Sequence, residues 1–220
     1  VVPKLLEFFP SVGLIGSRQV GKTTFVKKAS RAQSQAQTRE QLMQAAQKLF
    51  SQYGLNGTSI DKIVANAGFT KGAFYSNFAT KEDLMLALLE QHKEKIFAQM
   101  QDLIIATKKE DLIGVIQNWL SHSAGDKDWI LFSAELEMNA ARNPELSKSF
   151  KQFMDMQYDK MAIALDTIFV KLGKKPPIPT IELARVLKNL IHSSALNSIA
   201  CGDSDAKTDE IMALFDALLK

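Results

Sequence analysis

The sequence predicts an all-α fold, with a small N-terminal helix-turn-helix unit ahead of a larger helical remainder. Three observations carry that expectation. From Thr38 onward apolar residues recur at spacings of three and four, the signature of one helix face. No run after residue 107 alternates or shows the β-branched density of buried strands. Within Thr58–Leu84 two short helical stretches are separated by a glycine turn, the pattern of a helix-turn-helix.

The elements follow in order. Residues 1–37 contain Gly16-Ser-Arg-Gln-Val-Gly21-Lys22-Thr23, which satisfies the phosphate-cradling P-loop pattern and resembles the start of a P-loop ATPase. A working P-loop rests on a parallel sheet with an aspartate-bearing strand that holds Mg²⁺, and nothing downstream supplies one. The segment is therefore expected to be an extension, with Ala29–Gln37 a polar linker; a nucleotide-binding protein is the alternative reading. Thr38 is expected to cap the first helix, which runs to Tyr53 on an apolar face of Leu42, Ala45, Ala46, Leu49 and Phe50 and stops at Gly54.

Thr58 or Ser59 caps the next helix, whose face is Ile60, Ile63, Val64 and Ala67, and Gly68 ends it. A second short helix starts at Thr70, with Phe74 and Phe78 inward and Thr70, Lys71, Ala73, Tyr75 and Asn77 outward. In this geometry the second helix enters the DNA major groove and its first residues meet base edges. Gly72 and Ala73 are small enough for close approach. Lys71 offers a cation to guanine or phosphate, and Tyr75 a phenol to phosphate. Thr80 and Asp83 form a capping box that opens a long helix to about Ala106. Further helices are expected over Asp111–Ser123, Asp128–Ala141, Glu145–Leu172, Thr180–Ala200 and Thr208–Leu219.

The run from Leu49 to Leu84 resembles the DNA-binding domain of the tetracycline-repressor family of bacterial transcription regulators. The matching positions are Phe50, Gly54, Thr58, Ser59, Ile63, Ala67, Gly68, Lys71, Gly72, Phe74, Tyr75, Phe78, Lys81 and Leu84. Asn77 stands where the family often has histidine, and an asparagine amide can still donate to phosphate. The resemblance implies a repressor that binds a palindromic operator in double-stranded DNA as a homodimer and responds to a small hydrophobic or amphipathic effector. It implies that Thr70, Lys71, Gly72 and Ala73 read or approach bases. Thr58, Ser59, Tyr75, Asn77 and Lys81 would hold phosphates, and Arg39 would reach the backbone or minor groove. The domains implied are an extension (1–37), the DNA-binding head (38–84) and an effector-binding and dimerisation body (85–220).

Charge agrees with that division. Residues 1–81 hold 11 of the 27 Lys and Arg but only three of the 24 Asp and Glu, so a basic N-terminal third precedes an acidic remainder. The lone Cys201 excludes an intramolecular disulfide, and no apolar run has the length of a membrane span; a cytoplasmic protein is expected.

His92, His122 and His192 lack metal-ligand spacing, no nucleophile–base pair stands out, and neither a cofactor nor an enzymatic activity is expected. For the effector, polar residues on otherwise apolar faces and nearby large side chains suggest Trp119, His122, Phe132, Glu135, Asn139, Met156, Asn189 and His192. The stripes Ile181, Ala184, Leu187, Ile191, Ala195 and Ile211, Leu214, Phe215, Leu218 match helices that form a four-helix dimer interface in the family. They would equally serve to bury against their own body.

Overall fold

The computed structural model describes residues 30–123 and 126–202, together with 211, 213, 214 and 217. The P-loop-like stretch at 16–23 lies outside them, as does most of the expected last helix, of which the four isolated positions are helical. Eight helices make up the described chain: α1 (Arg31–Tyr53), α2 (Ile60–Ala67), α3 (Lys71–Tyr75), α4 (Lys81–Ala106), α5 (Leu112–Ser123), α6 (Lys127–Arg142), α7 (Pro144–Leu172) and α8 (Thr180–Cys201). No strand occurs among the described residues.

The helix ends follow local chemistry. Ser59 caps α2 by accepting the Lys62 N–H, and Gly68 leaves it at φ 73°, a left-handed backbone that a side chain strains. Thr80 and Asp83 form the reciprocal capping box of α4. Asn143 caps α7 with Pro144 in its first turn.

One expected boundary is wrong. Thr38 does not cap α1: the helix begins two turns earlier, capped by a Ser30–Gln33 box, and the Thr38 hydroxyl donates within the helix to Ser34 O. The stretch read as linker is rich in alanine and glutamine, good helix formers, and residues 31–37 form an exposed extension with no apolar face to betray it.

Two apolar cores run through the molecule. The first joins α1–α3 to the body: Leu42, Leu49, Ile63 and Phe74 are continuous with Leu84 and Leu88 of α4, Phe132 and Leu136 of α6, and Leu146 and Phe153 of α7. The second lies at the far end, where Ile104, Leu112, Ile168, Phe169, Leu183 and Leu187 pack together. The helix-turn-helix thus sits on a foundation shared with the body, and α4 passes through both cores.

Of the α8 stripe expected at a dimer face, Ala184, Leu187 and Ala195 are buried against the chain itself and Ile181 and Ile191 are half-buried. Val186 and Leu190, outside that stripe and on the other side of the helix, are exposed by 54% and 38%.

Candidate nucleic-acid interface

Recognition depends on how firmly α3 is held and on what it leaves free. Its five residues are too few to be stable alone. Phe74, fully buried, pins it to the core, with Phe78 at 5.7 Å centroid separation and Tyr75 edge-on at 5.5 Å. Thr70 caps it by accepting the Ala73 N–H. The other end is gripped by α1: Arg39 donates to Asn77 O at 2.8 Å and Gln35 Nε2 to Ser76 O at 3.2 Å. The Arg39 guanidinium also lies over the Phe78 ring, 4.1 Å from its centre.

The exposed surface of this unit holds Ser59, Thr70, Lys71, Gly72 and Tyr75, the tyrosine 56% exposed, with Ala73 half-buried between them. A Cβ at Gly72 would meet nothing closer than Thr70 Oγ1 at 3.6 Å, an ordinary contact, so no neighbour crowds that side of the helix. Lys71 reaches back to Asp61 of α2 at 2.8 Å, and that carboxylate holds its pKa above the ordinary lysine value. A base or phosphate must compete with an exposed ion pair, which is weak in water.

Four residues expected at the interface have other employment. Thr58 is buried, and its hydroxyl donates to Gly54 O at 2.9 Å with Leu49 O at 3.3 Å; it ties the α1–α2 turn and offers phosphate nothing. Lys81 is half-buried, with Nζ donating to Leu55 O at 2.8 Å and Thr58 O at 3.1 Å, so its charge braces the same turn. Arg39 is engaged with Asn77 O and Phe78 as above. The Asn77 amide donates to Ala73 O at 2.8 Å, closing the end of α3. In sequence a hydroxyl or cation at the right spacing looks available; in the fold, unsatisfied backbone carbonyls claim these donors first.

The residues of the expected effector pocket are not gathered either. Phe132 and Glu135 line a cleft of about 330 Å³ between α1, α4 and the start of α6, shared with Phe50, Gly54, Asp126 and Trp129. The Glu135 carboxylate accepts the Leu55 N–H there at 2.9 Å, a bond between body and head that sequence reasoning missed because 80 residues separate the partners. Met156 is 42% exposed, Asn139 donates to its own helix, and Asn189 accepts from Tyr158 at the surface. Trp119 is half-buried on α5, and the His122 side chain lies outside the described atoms. His192 stands 3.6 Å from Glu137, its pKa lowered by burial. Nowhere among the described residues do three or more His, Cys, Asp or Glu come together in a metal-binding group, and no helix is long and apolar enough to cross a membrane.

Comparison with known proteins converges on the same unit. Residues 42–88 match the family profile described as bacterial regulatory proteins, tetR family. The chain is 28% identical over 157 residues, 68% of its length, to the Bacillus subtilis HTH-type transcriptional regulator YuxN. It spans about half the length of that relative, and 58% and 61% of two further ones. Among solved structures it resembles a TetR transcription regulator from Haloarcula marismortui at TM-score 0.65, with 19% identity over 84% of this chain and 100% of that one. It also resembles the Bacillus subtilis regulator FadR in complex with stearoyl-CoA at TM-score 0.60, with 20% identity over 82% of this chain and 95% of the other. At those identities the structural likeness speaks for the fold, and the profile match for the head. Residues 42–88 thus match the DNA-binding domain of the tetR family of bacterial regulatory proteins, on a helical fold shared with solved TetR regulators.

Proposed function

We propose that this protein is a dimeric transcriptional repressor of the cytoplasm that binds a palindromic operator in double-stranded DNA and is released by a small amphipathic effector held in its body. The observation that carries the reading is the open end of α3. Thr70, Lys71, Gly72 and Tyr75 are exposed together on a helix that Arg39, Gln35 and Phe74 hold rigid. Gly72 and Ala73 bring the backbone near base edges, Lys71 exchanges Asp61 for a base or phosphate, and Ser59 and Tyr75 meet the DNA backbone.

Dimerisation is supported by the apolar residues that α8 leaves outside, Val186 and Leu190, and by exposed Leu214 nearby in sequence. Two heads on a two-fold axis would read half-sites about 34–36 Å apart. Effector control is supported by the Glu135–Leu55 bond, which ties α6 to the turn that leads into α2. A ligand that shifts α6 relative to α1 disfavours one head position, provided it binds the DNA-incompetent state more tightly. That a regulator of this fold is described with a bound acyl-CoA supports an amphipathic ligand here.

The test is selection of random double-stranded DNA on the purified chain at two salt concentrations. A palindromic consensus is expected, with Tyr75→Phe and Lys71→Ala each weakening binding several-fold. Binding without consensus that collapses as salt rises would sink the reading, since it reports charge alone.

A further inference from the structure

Three helices of the body carry donors to one region and provide them with few acceptors. Lys93 of α4 and Lys188 of α8 are both half-buried, and neither has a carboxylate within ion-pairing distance among the described residues. Lys188 Nζ rests instead 3.2 Å from Met154 Sδ and 5.4 Å from the centre of the Tyr158 ring, both on α7. Arg185 lies over the same ring at 5.7 Å. Lys93, Lys188 and His192 stand close enough to disfavour one another's charge; Glu137 of α6 faces Lys188 and His192, and Asp126 faces Lys93.

A third donor lies on α7. Gln157 of α7 is buried and its Nε2 has no hydrogen-bond partner. It follows Met154 by three residues, on the neighbouring strip of the helix. The Glu94–Lys160 ion pair and the Lys171 Nζ bond to Ile104 O set α4 and α7 in parallel register. That register puts Lys93 within about 3 Å of the level of Gln157 along the axes, at 1.5 Å rise per residue.

Ammonium groups partly withdrawn from water with no ion-pair partner cost stability that apolar side chains of the same volume would not. Two such groups and an orphaned amide, all donors, make physical sense together when an acceptor completes them. We propose that the junction of α4, α7 and α8 binds the anionic head group of an amphipathic small molecule, with Lys93 and Lys188 as its counter-ions and Gln157 as a neutral donor. The head group is a carboxylate or a phosphate, and its alkyl part lies along the adaptable Met154 and Met161. This rests on the reading of the body as an effector site and adds the charge of the effector.

Calorimetric titration of the full chain with decanoate, decyl phosphate and decanol separates the possibilities. At least one of the two anions is expected to bind about tenfold or more tightly than the alcohol, as charge-assisted hydrogen bonds require. Which anion is preferred identifies the head group. In Lys93→Met/Lys188→Met that preference disappears, while the unliganded protein melts higher, which excludes misfolding as the cause. The Lys188 amine, lowered to about 8 by burial and by Lys93, should also rise on anion binding when followed by NMR of the methylated protein. Equal affinity for decanol, a preference that survives the double substitution, or no binding of either anion overturns the site. Anion binding that leaves operator affinity unchanged keeps the site and removes the regulatory reading. Operator release by a compound indifferent to both lysines does the reverse.

Discussion

The head and the body treat their cations in opposite ways. Around the recognition helix Lys62 donates to Gly57 O, Lys71 pairs with Asp61, Lys81 serves Leu55 O and Thr58 O, and Arg39 serves Asn77 O. In the body Lys93 and Lys188 are half-buried with no carboxylate in ion-pairing distance, and Gln157 keeps an unused donor. The difference teaches what each region is for. A head that must present one shape to DNA benefits from spending its polar groups on its own backbone. A body that binds an anionic effector, as proposed above, carries its unmet demand in the free state.

The comparison can be broken at several points. Phe74→Ala opens a cavity in the fully buried centre of the head and should cost about 3–5 kcal/mol in urea unfolding. A much smaller loss would mean that the head core is loose and that α3 is not pinned by it. Lys81→Met strands two carbonyls, and a loss of about 1–3 kcal/mol is expected by the same measurement. Lys188→Met has the opposite sign: it removes an unpaired cation, and a gain of about 1–2 kcal/mol is expected. A loss there would show that the ammonium is already compensated and would erase the contrast.

The smallest effect is with pH. His92 is stacked on Trp129 at 3.9 Å, and burial with Lys93 nearby lowers its pKa to about 4, below the unfolded value of 6.5. The unfolded chain therefore takes up the proton first. Stability held above pH 6.5 is lost as pH falls from there through about 4, by roughly 1 kcal/mol after allowance for solvent screening. His92→Gln should flatten that part of the profile.

Local chemistry was legible in the sequence, and long-range commitment was not. Gly68 and the Thr80–Asp83 box could be read because cap and partner lie within a few residues. Phe74 and Phe78 were legible as inward because a helix-turn-helix has one possible interior. Thr58 and Ser59, adjacent hydroxyls, could not be separated; the carbonyls of Leu49 and Gly54 decide which is buried. Gln35 was hidden because a run of polar helix formers has no apolar periodicity. The pocket residues were chosen by polarity on apolar faces, but which face meets a neighbour depends on how α6, α7 and α8 cross. That geometry sends Met156 to solvent and leaves Lys93 and Lys188, ordinary surface residues by composition, half-buried.

Gly57 marks where the head tolerates no change of shape. A Cβ there would stand 2.2 Å from Tyr53 O, so even alanine must push α1 and the turn apart.

α4 has a mechanical consequence. Its 26 residues form one rod, capped at the head by Thr80 and held at the far end by Lys171 on Ile104 O and Ile105 O. At 1.5 Å per residue the rod is about 39 Å long, and a tilt of about 5° at one end moves the other by about 3 Å. Successive base pairs are about 3.4 Å apart, so a rotation too small to disturb core packing corresponds to nearly one base-pair step. In the dimer proposed above, a change of that size in each head would amount to a change of operator register, with no need for either head to unfold.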